Sequence, residues 1–162
     1  MGISGVGKSS VGRELAERFD VEYADGDDFH SEANIAKMSA GTPLTDDDRW
    51  PWLEEIGAWL VAHDATGGVI SCSALKRAYR DLLVRDASRA AFLHLTGSHD
   101  LITSRMEGRD HFMPLSLLDS QEKTLEPLQH DENGWAVDIA PSPQEIVDEF
   151  VARAGLVAEE GE

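Results

Sequence analysis

The chain has 162 residues, 41% of them hydrophobic, which suits one domain built around one core. Its net charge of −17, from 14 basic and 31 acidic residues, argues against a nucleic-acid-binding protein, whose contact surface should be basic. The single cysteine, Cys72, excludes an intrachain disulfide, and no apolar run approaches the roughly 20 residues that span a bilayer.

Short apolar runs alternate with longer helical patterns, which predicts an α/β fold with a sheet flanked by helices. In the first half of the chain, a helix is predicted over Ser9–Phe19, a strand over Val21–Ala24 and a helix over Trp50–His63. Pro51 is expected near the start of that second helix, where its missing N–H does least harm.

The second half continues the alternation after a Gly67-Gly68 turn. Three further strands and three further helices are predicted. In chain order they are a strand at Val69–Cys72, a helix carrying Leu75 to Leu83, a strand at Ala91–Leu95, a helix capped by Ser98, a strand at Trp135–Ile139 and a helix after the capping box Ser142–Glu145.

The segment from Gly2 to Ser9 matches the phosphate-loop pattern of glycine, four residues and Gly-Lys-Ser. Glycines let several N–H groups converge on one phosphate, and the positive end of the following helix faces the same anion. A lysine at this place can bridge the β- and γ-phosphates, and the serine hydroxyl can ligate Mg²⁺. The alternative is an ordinary Gly/Ser loop before a helix. The predicted nucleotide-binding residues are Gly2, Ser4, Gly5, Val6, Gly7, Lys8, Ser9 and Ser10.

A phosphate loop normally follows a buried strand in the middle of the sheet, whereas this sequence begins one residue before Gly2. We therefore expect the first central strand to be missing from this chain. Two explanations stay open: further residues upstream, or a form of the protein that lacks the strand.

Candidate acceptor-side residues follow the strand at Val21–Ala24. Asp25 and Asp27 come at its carboxyl end, where ligands bind in α/β sheets, and carboxylates there can hold Mg²⁺ through water or take a proton from a hydroxyl. Arg49 could grip a substrate carboxylate or be ion-paired at the surface. A basic cluster could serve an anion or form a solvated helix face: Lys76, Arg77, Arg80, Arg85 and Arg89.

Three blocks of this sequence resemble the gluconate kinases of the shikimate/adenylate kinase-like P-loop group. The first is Asp25–Trp52, DGDDFHSEANIAKMSAGTPLTDDDRWPW; the second is Ser71–Leu83, SCSALKRAYRDLL. The third begins at His111–Pro114 and continues through Leu117–Gln121 and Thr124–Pro127. The likeness covers nearly the whole chain.

The resemblance implies a single P-loop kinase domain over residues 1–162, with a helical lid over about 105–127, usually assembled as a homodimer. It implies ATP, Mg²⁺ and D-gluconate as ligands. Separately, the single cysteine and the lack of a membrane-spanning run or signal peptide favour a cytoplasmic protein without membrane partners, and the net charge argues against nucleic-acid partners. Catalytic roles are expected for Lys8, Asp27, Arg105 and Arg109, and metal contacts for Ser9 and Asp25. The expected substrate-binding residues are Asp27, His30, Arg49, Lys76, Arg80 and His111.

Asp27 is the preferred base and Arg49 the preferred carboxylate ligand, with Asp25 left open as the base instead. Two other functions also stay open. One is a P-loop kinase of another small acceptor, such as shikimate or a nucleoside monophosphate. The other is a nucleotide-binding protein without kinase activity.

Overall fold

Helices and parallel-paired strands alternate along this computed structural model, which describes residues 1–107 and 115–155. The described strands are β1 Glu22–Asp25, β2 Gly68–Ser71, β3 Phe92–Thr96 and β4 Gly134–Asp138. The described helices are α1 Lys8–Phe19, α2 Glu32–Ser39, α3 Asp46–Ala62, α4 Arg77–Val84, α5 His99–Glu107, α6 Leu115–Thr124 and α7 Pro143–Ala154. A 3-10 turn, Gly26–Phe29, follows β1 directly. The predicted α/β class is confirmed.

The strands form two separate parallel pairs. β1 pairs with β2 in the register Glu22↔Gly68 to Asp25↔Ser71, and β3 pairs with β4 in the register Phe92↔Gly134 to Thr96↔Asp138. No strand lies between β2 and β3 in the ranges 1–107 and 115–155. The expected central strand is therefore absent from the described residues.

The backbone of Met1 and Gly2 joins the two pairs. The N–H of Leu95 donates to the Met1 carbonyl at 2.9 Å, and the Met1 nitrogen donates to the carbonyl of Leu93. On the other side, the N–H of Gly2 donates to the carbonyl of Ser73, just beyond β2, at 3.2 Å. The entrance of the phosphate loop thus occupies one end of the space between β2 and β3.

The rest of that space is a cavity of about 740 Å³. Its walls come from β2, β3, α1, α3 and α7, and they are more apolar than polar. Residues that line it include Met1, Val11, Leu15, Ile70, Leu93 and Phe150. Because this cavity separates two strand pairs, we read it as a gap in the sheet and not as the acceptor site.

One helix begins earlier than the sequence predicts. α3 begins at Asp46, not Trp50, because Thr45 and Asp48 form a reciprocal capping box at its start. Pro51 consequently lies inside α3, where it removes one intrahelical hydrogen bond.

The last helix agrees with its sequence signal. Ser142 and Glu145 form the predicted capping box, Pro143 is the first residue of α7, and α7 packs against α1 and β4. In the described part of the chain, no helix is both long and apolar enough to cross a membrane.

Filling the cavity should stabilise the fold. We expect a Val- and Ile-rich strand of about five residues, added ahead of Met1, to raise the Tm by about 10 °C, because burial of several branched side chains outweighs the ordering of the added backbone. A Gly/Ser extension of equal length is the control and should leave the Tm unchanged. Equal melting temperatures for the two extensions would show that the cavity does not accept a strand.

Candidate active site

The phosphate loop runs from Gly2 to Lys8, where α1 begins. Gly7 precedes α1 with φ +90°, in the left-handed region that favours glycine. Gly2 is constrained by space as well, since a Cβ there would lie 2.8 Å from the carbonyl oxygen of Leu95. The backbone amides of the loop therefore lie at the positive N-terminal end of α1, as an anion-binding loop requires.

Lys8 and Ser9 occupy the first turn of α1. The Lys8 ammonium donates to the carbonyl of Ile3 at 2.9 Å, within its own loop, and burial lowers its pKa while the charge of Asp27 opposes that shift. The Ser9 hydroxyl donates to Asp25 at 2.9 Å. Asp25 is the last residue of β1, so strand and loop bring the two predicted metal residues together.

The turn after β1 carries Asp27. The Asp27 N–H donates to Asp25 Oδ1 at 3.1 Å, and the indole of Trp52 holds the turn by donating to the Gly26 carbonyl at 2.6 Å. The Asp27 side chain is 79% exposed. Partial desolvation raises the pKa of its carboxyl, and the charge of Lys8 acts against that rise.

His30 forms an inner wall of the same cleft. Its ring stacks on Trp52 with centroids 4.1 Å apart, and its side chain is 4% exposed. Burial and the charge of Arg49 lower its pKa to about 4, so the ring is neutral at pH 7. The Asn34 amide nitrogen, which donates to the Asp48 carbonyl at 2.9 Å, faces His30 Nδ1 at 3.4 Å. Nδ1 is then the acceptor, and the ring proton is on Nε2, 4.0 Å from Asp27.

Arg49 reaches the cleft from the first turns of α3. Its side chain is 14% exposed, and among the described residues its guanidinium has one hydrogen bond, from NH1 to the Tyr79 hydroxyl at 3.2 Å. A guanidinium carries five N–H donors. Arg49 therefore presents a shielded cation whose remaining donors have no hydrogen-bond partner in the described part of the chain.

Lys76 and Arg80 do not join this cleft. Lys76 donates to Asp46 at 2.9 and 3.1 Å. Arg80 is fully buried and donates to Glu132 at 2.5 and 2.9 Å, as well as to backbone carbonyls of Ala74, Glu126 and Pro127. Their predicted contact with substrate stays a prediction, and the geometry gives Arg80 a structural role instead.

The rest of the basic cluster is also engaged. Arg77 pairs with Asp81 and Asp131, Arg85 pairs with Asp86, and Arg89 contacts Asp64. The cluster is therefore a set of separate contacts and not one anion site.

Of the three functional residues predicted for the lid, the described part of the chain contains one. Arg105, on α5, donates to the carbonyl of Ile139 at 2.6 Å and does not line the acceptor cleft. Arg109 and His111 lie outside the described residues. The lid over 105–127 stays a prediction.

Sequence reasoning missed Gln121. Its side-chain oxygen, at the end of α6, accepts the N–H of Ser4 in the phosphate loop at 2.7 Å. The block Leu117–Gln121 belonged to the family resemblance, but no periodicity or charge pattern pointed to a contact with Ser4.

The described residues that line the cleft are Ser4, Lys8, Asp27, His30, Met38, Pro43, Leu44, Arg49, Trp52, Ser73, Leu75, Ser120 and Gln121.

A shikimate kinase family model matches residues 4–152 of this chain. A gluconokinase from Gluconobacter oxydans (strain 621H) is 42% identical, over 93% of this chain and 86% of that protein. The chain belongs to the shikimate kinase family, and within it to the gluconokinases.

Two solved kinase structures agree with the fold. A gluconokinase from Sinorhizobium meliloti 1021 matches with a TM-score of 0.88 and 48% identity, over 98% of this chain and 91% of that one. An unliganded sugar kinase from Janibacter sp. HTCC2649 matches with a TM-score of 0.92 and 42% identity, over 98% and 93% of the two chains. Membership of this family makes the chain an ATP-dependent phosphotransferase that acts on a sugar acid.

In this gluconokinase-family chain, Arg80 should matter for stability. We expect Arg80→Ala to lower the free energy of unfolding by about 3–5 kcal/mol, because Glu132, 4% exposed, keeps a buried charge without its partner. Urea denaturation measures the loss. Arg85→Ala, which removes one member of an exposed pair with Asp86, is the control and should cost less than about 1 kcal/mol. Unchanged stability together with a raised KM for the acceptor would return Arg80 to the substrate site.

Proposed function

We propose that the protein is a gluconokinase, which transfers the γ-phosphoryl group of ATP to the 6-hydroxyl of D-gluconate and gives 6-phosphogluconate and ADP. The observation that carries the proposal is one cleft lined by Lys8, Asp27 and Arg49. Lys8 is a cation that can bind phosphate, and Asp27 is a carboxylate that can accept the proton of a hydroxyl. Arg49 is a second cation, and it has further N–H donors for a ligand. The gluconokinase relatives supply the identity of the acceptor.

Phosphoryl transfer needs alignment and charge neutralisation more than covalent chemistry. In the proposal, the loop amides of Gly2 to Ser10 bind the ATP phosphates at the positive end of α1. Lys8 exchanges its contact with the Ile3 carbonyl for the β- and γ-phosphates. The lid arginines, Arg105 and Arg109, would close over the phosphates and exclude water, which is always a competing acceptor.

The residues at the end of β1 fit a magnesium ion. A hydroxyl and a carboxylate, those of Ser9 and Asp25, lie in contact beside the phosphate loop, and hard oxygen ligands suit Mg²⁺. Ser9 would hold the ion directly and Asp25 through water. A bound Mg²⁺ would neutralise negative charge on the phosphates. A second group of metal-capable side chains, His99, Asp119 and Glu122, is partly exposed on α5 and α6 and has no place in this proposal.

Asp27 is the proposed base that orients and deprotonates the 6-hydroxyl. It opens into the cleft beside Lys8, and its carboxylate is accessible to a ligand. His30 is a poor base because its pKa is lowered to about 4, but its Nε2–H can donate to an acceptor hydroxyl or to Asp27. The alternative base is Asp25, whose oxygens already accept from Ser9 and from the Asp27 N–H.

Arg49 is the proposed ligand of the gluconate carboxylate. A fork of N–H donors in a shielded cleft matches a planar carboxylate better than a lysine does. A kinase of shikimate would also need a carboxylate ligand, so acceptor identity rests on the relatives and on direct assay. A nucleotide-binding protein without activity would bind ATP yet leave gluconate unphosphorylated.

The remaining parts of the proposal concern assembly and location. We infer a homodimer from the family resemblance. We place the protein in the cytoplasm because its one thiol, Cys72, is buried, with its pKa raised to about 11 by burial, and needs no oxidising compartment.

Acceptor choice gives the first test of the proposed function. An assay of ADP release across gluconate, glucose, shikimate and AMP should show the fastest turnover with gluconate. Lys8→Ala should abolish that turnover, because it removes the cation that follows the phosphates. Arg85→Ala, a charge loss outside the cleft, is the matched control. Faster turnover with another acceptor, or normal activity of Lys8→Ala, would refute the proposal.

Asp27 and Arg49 should fail in different ways. Asp27→Asn is nearly isosteric but cannot take a proton, so kcat should fall by about 10²-fold or more with little change in the gluconate KM. Arg49→Lys keeps the charge and loses the fork, so the gluconate KM should rise more than kcat falls. Steady-state kinetics with gluconate and Mg²⁺ varied separately measure both.

The pH profile checks the base. Since Asp27 must be ionised to act, kcat/KM should fall as the pH drops through its raised pKa, and Asp27→Asn should lose that acid limb. If Asp27→Asn instead shifts the Mg²⁺ dependence, Asp25 is the base. An unchanged gluconate KM in Arg49→Lys would place the carboxylate ligand elsewhere.

A further inference from the structure

A buried tyrosine connects Arg49 to a second charged group. The Tyr79 residue is 1% exposed, yet its hydroxyl accepts from Arg49 NH1 at 3.2 Å and donates to Asp46. Lys76 closes the set by donating to both Asp46 oxygens. Arg49 thus stands at one end of a chain of hydrogen bonds that continues through Tyr79 and Asp46 to Lys76.

This chain fixes the direction of the Arg49 fork. The guanidinium carbon lies 5.6 Å from the centre of the Tyr79 ring, and NH1 is tied to the hydroxyl at the ring's edge. Trp50 packs edge-on against the same ring at 5.3 Å between centroids, which holds the tyrosine in place. With NH1 anchored, the other donors of Arg49 keep one orientation at the cleft.

The Asp46 carboxylate would compete with a substrate carboxylate for Arg49 if Tyr79 and Lys76 did not already donate hydrogen bonds to it. Its nearest oxygen is 4.0 Å from Arg49 NH1, beyond hydrogen-bond distance. Hydrogen bonds from Tyr79 and then Lys76 lower the pKa of Asp46, so it stays ionised, and burial raises the pKa of Tyr79, so its hydroxyl keeps the proton that it donates. Tyr79 and Lys76 therefore occupy the carboxylate that would otherwise accept hydrogen bonds from Arg49, and leave it only a long ion pair of 4.0 Å with the guanidinium.

We propose that Tyr79, Asp46 and Lys76 are positioning residues that hold Arg49 open for the carboxylate of an acidic sugar. This inference rests on the proposed function, since it assigns the reason why Arg49 is available to gluconate. It also gives Lys76 a role different from direct substrate binding. Lys76 acts on Asp46, while Arg49 alone of the two contacts the acceptor.

The first experiment tests the Tyr79 hydroxyl separately from the packing of its ring. Tyr79→Phe keeps the ring and removes the hydroxyl, so the gluconate KM should rise about tenfold, with kcat and the ATP KM within about twofold of the parent. Arg85→Ala, which breaks an exposed ion pair outside the cleft, is the control and should leave the gluconate KM unchanged. In an Arg49→Lys background, Tyr79→Phe should add little, because both changes act on one contact.

The second experiment uses two partly exposed residues, which avoids damage to the core. Lys76→Met frees Asp46 to pair with Arg49 and should raise the gluconate KM about tenfold. Asp46→Asn added to Lys76→Met removes the competitor and should recover most of that loss. If Lys76 bound gluconate directly, the double variant would stay as impaired as Lys76→Met.

The outcomes distinguish the two proposals. If Arg49→Lys leaves the gluconate KM unchanged, the carboxylate ligand of the proposed function is wrong. If Arg49→Lys raises that KM while Tyr79→Phe leaves it unchanged, or the double variant fails to recover, only the positioning inference is overturned. The inference would also be overturned if Tyr79→Phe lowered kcat and raised the KM for ATP as much as the KM for gluconate, because that pattern indicates general disruption of the fold.

Discussion

The backbone hydrogen bonds of Met1 and Gly2 position the phosphate loop between the two strand pairs. They tie the start of the phosphate loop to β3 on one side and to Ser73, beyond β2, on the other. The two strand pairs share no other backbone ladder in the described residues, so these few bonds set the loop against both. Asp27, in the turn after β1, and Ser73, just beyond β2, then line the same cleft as Lys8. The cleft is thus positioned by only a few backbone hydrogen bonds, which lie beside a large cavity.

A chain with a net charge of −17 can still bind anionic substrates because cation availability matters more than cation number. Most basic side chains of the α4 region are already paired with acids or carbonyls. Arg80 and Arg49 illustrate the contrast, since both are shielded from solvent. The guanidinium of Arg80 donates to Glu132 and to backbone carbonyls, whereas that of Arg49 has one hydrogen bond in the described part of the chain. Shielding strengthens the attraction of such a cation for an incoming carboxylate, and the surrounding acids discourage anions that lack that fit.

The sequence predicts what local rules determine and fails where distant residues decide. The phosphate loop, the capping box at Ser142 and the four strands follow from patterns of a few residues, and the strand bounds agree within one residue at each end. The start of α3 was missed because Thr45 and Asp48, not the apolar spacing, set it. The fate of Arg80 depends on Glu132, far along the chain, and the roles of Tyr79 and Gln121 depend on contacts with Asp46 and Ser4. Residue type and periodicity carry no information on such pairings.

The environment of His30 bears on how the cleft handles a proton. Histidine is the usual base near neutral pH, but stacking on Trp52 and the nearby charge of Arg49 keep this ring neutral down to about pH 4. The hydrogen bond from Asn34 leaves the ring proton on the nitrogen that faces Asp27. His30 can therefore donate toward Asp27 or the acceptor without adding a charge. Burial raises the pKa of the Asp27 carboxyl above its ordinary value, which makes it a better proton acceptor than an unperturbed aspartate. In the proposed reaction, Asp27 lies beside Lys8 in the cleft and takes the proton of the attacking hydroxyl.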